Sequence, residues 1–156
     1  MKKILALLSV FSFSFAGTVY MSYDFDETGN VTLGYNHVFK TYVCEETGKP
    51  SWILAGGVNY DVVANDYSAV ASDVGFAGLY ALPMKFVTEK MAVWASLGFS
   101  TVTEGNMDGG LTYGLGLHYY LDETCGVGLG MVNHDWEESG IEDTLEKMNL
   151  VFSYKF

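Results

Sequence analysis

Leu111-Thr112-Tyr113-Gly114-Leu115-Gly116-Leu117-His118-Tyr119-Tyr120-Leu121 alternates without a break. Leu111, Tyr113, Leu115, Leu117, Tyr119 and Leu121 are all large and apolar or aromatic, whereas Thr112, Gly114 and Gly116 between them are small. Successive side chains of a strand point to opposite faces, so this stretch reads as a β-strand with one bulky apolar face and one small face. A soluble sandwich or barrel turns the bulky face to its core, and a membrane barrel turns it to lipid.

Working outward, the same period of two runs through segments 18–25, 30–43, 51–62, 73–86, 91–102, 126–134 and 146–156. Together with 111–121 they make an even set, which a closed up-and-down barrel with both chain ends on one side requires. The apolar sets expected to face outward include Val19, Met21 and Tyr23 in the first segment and Trp52, Leu54, Val58 and Tyr60 in the third. In the fourth segment the same reasoning selects Val74, Phe76, Tyr80, Leu82, Met84 and Phe86. Inside, it places Lys40, Lys85, Lys147 and Lys155 with Asp24, Asp61, Asn36 and Asn59. Three of these lysines fall toward the end where the chain terminates and the two aspartates toward the other, which argues against one central salt-bridge plug. Inward Tyr20, Trp94, His118 and Tyr120 are expected to fill most of the lumen, since eight strands enclose little more than their own side chains. The connections read as loops at 26–29, 63–72, 103–109 and 135–145, with turns at 44–50, 87–90 and 122–125.

The start of the chain reads differently. Lys2 and Lys3 precede an uncharged apolar stretch, Ile4 to Phe15, and Ser14-Phe15-Ala16 has the small-x-small pattern of a signal-peptidase site. Residues 1–16 are therefore expected to be a cleavable signal peptide and 17–156 the barrel domain. The apolar stretch is shorter than the roughly 20 residues a helix needs to span a bilayer. No Cys follows the cleavage site to carry a lipid.

Arg is absent and the formal net charge is −11, which loss of Lys2 and Lys3 makes more negative by two. Such a chain has no basic stripe for phosphates, and nucleic acid is not an expected partner. Most carboxylates fall in or beside the four loops, among them Asp24, Asp26, Glu27, Asp61, Asp66, Asp73, Glu104 and Asp108. The fourth loop region adds Asp135, Glu137, Glu138, Glu142, Asp143 and Glu146. A solvated, mutually repelling rim is the plain reading. Weak divalent-cation binding, by which such a rim would attach to anionic lipopolysaccharide, is the sharper one.

Chemistry-bearing motifs are sparse. Cys44 and Cys125 form no C-x-x-C pair, and bridging them requires the first turn to fold across the barrel floor. His134 and Asp135 are neighbours on opposite strand faces with no Ser at a relay spacing, so no catalytic site, cofactor site or metal site is assigned.

In the last segment, terminal Phe156 follows Tyr154, Phe152, Leu150 and Met148 at every second position. This pattern resembles the C-terminal signal of outer-membrane β-barrel proteins, which the barrel-assembly machinery reads. In size and architecture the chain resembles the small OmpA/OmpX/OmpW-like eight-stranded barrels. The resemblance implies an all-β, antiparallel transmembrane barrel in the outer membrane of a Gram-negative bacterium. It would be monomeric, in contact with outer-membrane lipid and lipopolysaccharide, with a structural or surface-interaction role through the acidic loops. A narrow porin-like channel for small solutes or cations is the alternative, and a soluble periplasmic ligand-binding barrel the second.

Overall fold

The computed structural model describes residues 17–25, 28–67, 72–104, 108–138 and 140–156, with the side chains of 66, 67 and 72 left aside. The expected signal peptide, with Asp26 and Glu27, lies outside the described residues.

Strands β1 (Gly17–Asp24), β2 (Val31–Val43), β3 (Pro50–Val63), β5 (Ser72–Phe86), β6 (Met91–Glu104), β7 (Asp108–Tyr120), β8 (Cys125–Glu138) and β9 (Ile141–Lys155) form the wall. Short β4 (Asn65–Tyr67) pairs only with the start of β5. Every pairing is antiparallel between neighbours in the chain, and two pairings close the ring, β1 with β9 and β3 with β5. The result is the expected eight-stranded antiparallel meander, with no free edge around the wall.

The two ends of this barrel differ. Gly17, Phe156 and the three short turns lie at one, here called the turn end, where Phe156 N donates to Gly17 O at 3.2 Å. At the other, the loop end, strands run on past the wall. Segment 135–145 is not a loop: Glu138 pairs with Ile141, so β8 and β9 rise as one hairpin turned at Gly140 with φ 83°. A positive φ there suits Gly, which has no Cβ to clash. Within segment 63–72, Asn65–Tyr67 form β4 and pair with the start of β5.

Six strands, and β2 as far as Phe39, face the way the alternation indicates. On β7, Leu115 is 61% and Leu117 50% exposed, while Thr112 and His118 are buried. The exception is β5. Its bulky set points inward, with Val74 and Phe76 essentially inaccessible and Leu82 and Met84 buried, while Leu79 is 66% exposed on the outside. The reason lies on the neighbouring strands. Leu82 pairs with Ala55, Tyr80 is flanked by Gly57 and Gly98, and Phe86 pairs with Ala92. Small inward residues on β3 and β6 leave space that only large side chains on β5 fill, and close packing decides the facing.

This inversion turns Lys85 outward, contrary to expectation. Lys40 is outward too, because a bulge at Phe39 shifts the register between Val38 and Lys40. Both ammonium groups sit over aromatic rings near the turn end, Lys40 4.7 Å above Tyr42 and Lys85 5.5 Å above Trp52. Lysines among aromatics suit the rim of an apolar band, where the stem lies on apolar surface and the charge reaches water.

Candidate functional site

Three regions carry the features a function would use: the sealed upper lumen, the open lower lumen and the acidic hairpin.

The upper lumen is built around Asp61 of β3. Its Oδ2 lies 2.6 Å from Lys147 Nζ of β9, both side chains 3% exposed. Thr32 Oγ1 donates to Oδ1 at 2.7 Å, and Asn30 Nδ2 and Phe76 N donate to Oδ2 at 3.0 and 3.1 Å. Asn30 also donates to Val74 O at 2.7 Å and accepts from Asn65 N at 3.0 Å. The carboxylate thus receives a full set of donors, the condition under which a buried charge persists. Lys147 sits 5.0 Å over the Phe76 ring, which stacks on His134 at 4.4 Å. Val74, Phe76, Trp136 and Leu145 close an apolar cluster beside it. A salt-bridge plug therefore exists, contrary to expectation. Lys147 lies at the loop-end half of its strand, level with Asp61, unlike Lys40, Lys85 and Lys155.

Below this layer the lumen is not mostly filled. A cavity of about 930 Å³ reaches from Asp61, Lys147 and His134 down to Glu89, Lys90, Asp122, Glu123 and Thr124 of the turns. Tyr20, Trp94 and His118 do face it, yet they lie flat in recesses made by glycines across the neighbouring strand. A Cβ built on Gly116 or Gly130 would collide with the Trp94 indole, one on Gly34 with Tyr20, and one on Gly126 with His118. The inward glycines therefore keep the lower lumen open. Its wall is apolar along Leu82, Met84 and Ala55, packed with Ile53, Phe86 and Tyr120. Across from them lie Thr18, Ser153 and His118, with Ser153 Oγ 3.0 Å from His118 Nε2.

The turns are individually braced. Lys49 pairs with Glu89, and that contact holds Glu89 below the usual carboxylate range. Cys125 N and Thr124 N each donate to Asp122 Oδ1 at 2.7 Å, and these bonds lower the Asp122 pKa. Both cysteines are free. Turn 44–49 closes on itself, Cys44 N donating to Lys49 O at 2.9 Å, and leans through Lys49 toward turn 87–90 rather than across the floor to Cys125.

At the loop end, Glu137 of β8 stands directly opposite Glu142 of β9, and Asp135 opposite Thr144, whose Oγ1 donates to it at 2.9 Å. Glu146 continues the exposed acidic stretch, and Asp108 of β7 pairs with Glu137. Asp73 and Glu104 are exposed, whereas Asp24 and Asp61 are buried within the barrel rather than on its rim. Among the described residues, no three His, Cys, Asp or Glu side chains converge to hold a metal ion. The structure does bring Ser100 to His134, Oγ to Nδ1 3.1 Å, an encounter that sequence spacing did not reveal. Ser100 and His134 are both buried, and the pair reads as packing within the seal rather than as a nucleophile open to substrate.

Between the ends the exterior is a band of exposed Val, Leu, Met, Phe and Tyr, with Leu97 58% and Phe99 71% exposed. A continuous apolar exterior on a closed barrel suits hydrocarbon, not water. Among the described residues no helix is long and apolar enough to cross a membrane.

These features define a class: a closed eight-stranded barrel with an apolar outside. No family model matches the chain, and the search of curated proteins found no match. Solved structures do resemble it. The backbone structure of the Yersinia pestis outer-membrane protein Ail in a phospholipid bilayer nanodisc aligns with 92% of this chain and 100% of its own, at TM-score 0.54 and 12% identity. A crystal structure of Ail, the attachment invasion locus protein of Yersinia pestis, gives TM-score 0.52 and 13% identity over 90% of this chain and 94% of that one. Ail in complex with the heparin analogue sucrose octasulfate gives 0.50 and 15% over the same shares. At such identities the likeness concerns the fold alone.

Proposed function

We propose that this chain is a monomeric outer-membrane barrel of the small OmpA/OmpX/OmpW-like type, acting at the cell surface through its acidic loop-end hairpins. The observation that carries this reading is the β8–β9 hairpin, which projects beyond the wall with Glu137 and Glu142 facing each other across the strands. Like charges directly opposite destabilise a hairpin, and a partner of opposite charge relieves that cost. The Ail structure with sucrose octasulfate concerns a polyanion. The acidic rim here has the wrong sign for such a ligand and suits a basic protein surface. Outer-membrane lipid would contact the apolar band. The barrel-assembly machinery would read the outward series from Met148 to Phe156, whose last ring packs on Tyr35 at 6.3 Å.

The channel alternative has the sealed upper lumen against it. The soluble alternative wants large side chains inward on every strand, a pattern that β5 alone follows clearly. The test is binding of fluorescent oligolysine to the barrel in neutral phospholipid nanodiscs. Glu142→Lys is expected to stabilise the hairpin by roughly 0.2–1 kcal/mol while weakening oligolysine binding and its salt dependence. Unchanged binding by a Glu137→Gln/Glu142→Gln/Glu146→Gln variant contradicts the reading.

A further inference from the structure

The lower lumen combines three observations that the surface role does not use. Barrel interiors of this kind are ordinarily polar, yet β5 turns Leu82, Met84 and Phe86 inward. The glycine recesses hold Trp94, Tyr20 and His118 against the wall, so the space beside those apolar residues stays open. The cavity, about 930 Å³, reaches the turn end and stops below the Asp61–Lys147 layer, which makes it a blind cup. Concave, partly apolar cavities of roughly 300–1,000 Å³ are the usual size of small-molecule sites.

The mouth identifies the class of ligand. Lys49 pairs with Glu89, and Lys90 lies near Asp122, whose Oδ1 already takes the turn amides. Lys155 and Glu123 remain, one of each sign, so a charged headgroup meets no net countercharge at the rim. Along β5, Phe86 to Leu82 spans about 14 Å at strand rise, a length that a medium alkyl chain matches.

We propose that the turn-end lumen is a binding cavity for an uncharged, single-chain apolar molecule with one hydroxyl-like polar end, such as a medium-chain alcohol. The chain lies along Ile53, Leu82, Met84 and Phe86, and the polar end stays in the wet mouth beside Thr124.

The test uses the unaltered barrel in phospholipid nanodiscs, labelled at methionine methyls and titrated with decanol. Met84 faces the cavity, while Met21 and Met148 are exposed on the outer band and report alcohol that merely enters the bilayer. The expected result is a saturable shift at Met84 with only a gradual drift at Met21 and Met148. A Ser153→Phe variant, which narrows the cup from its polar wall, is expected to weaken the Met84 response about tenfold. A Met84 signal that stays still, or drifts in parallel with the outer two, overturns the proposal. Tighter binding of decanoate or decylamine than of decanol overturns the assignment to an uncharged ligand.

Discussion

The two halves of the lumen are lined by the inward faces of the same strands and arrive at opposite results. In the loop-end half, charged and amide side chains meet and exclude space: Asp61 satisfies donors from four residues and Lys147 is 2% exposed. In the turn-end half, bulky aromatics face glycines and fold back against the wall, leaving a cavity. The difference shows that small inward residues do not by themselves make a pore. Openness depends on whether large neighbours reach across the lumen or lie down beside it.

The largest effect is expected at the ion pair. Lys147→Met leaves Asp61 buried without its countercharge, and barrel stability is expected to fall by about 3–5 kcal/mol. Combining it with Asp61→Asn is expected to recover much of the loss. Urea titration of the refolded barrel in lipid, followed by gel migration, measures both. A single variant as stable as the parent contradicts the seal.

The second largest effect tests the inverted strand. Leu82→Ala opens a buried site and is expected to cost about 2–5 kcal/mol, whereas Leu79→Ala, on the lipid side of the same strand, is expected to cost much less. A larger loss for Leu79→Ala than for Leu82→Ala would mean that β5 faces as its own alternation indicates.

The smallest effect lies in the turn below the cavity. Amide and hydroxyl donors lower the Asp122 pKa in the folded chain. A depressed carboxylate contributes fully above its unfolded pKa and loses that contribution as pH falls through the folded value. Amide exchange at Thr124 and Cys125, corrected for intrinsic rates, should stay protected through mildly acidic pH and open only below the ordinary aspartate range. Loss of protection near neutral pH contradicts the bracing.

These contrasts also show what alternation alone can convey. The faces of β1, β3 and β7 are legible because each strand carries its own answer, bulky on one side and small on the other. The facing of β5 is not, because Leu82 and Tyr80 are placed by Ala55, Gly57 and Gly98 on other strands. Lys40 is misread for a related reason: the bulge at Phe39 shifts the parity of everything after it. The Asp61–Lys147 pair is partly legible, since both residues are inward and lie in the loop-end halves of their strands. The three lysines toward the other end mask it. Segment 135–145 reads as a loop because its carboxylates are poor strand formers, yet the hairpin holds them in register above the wall.

The lumen is closed at the loop end and open only at the turn end. Planar-bilayer recording of the refolded barrel tests it most directly. No stepwise conductance is expected from the unaltered protein at moderate voltage, because ions entering the cup meet the Asp61–Lys147 layer. Stable cation-selective steps would contradict it.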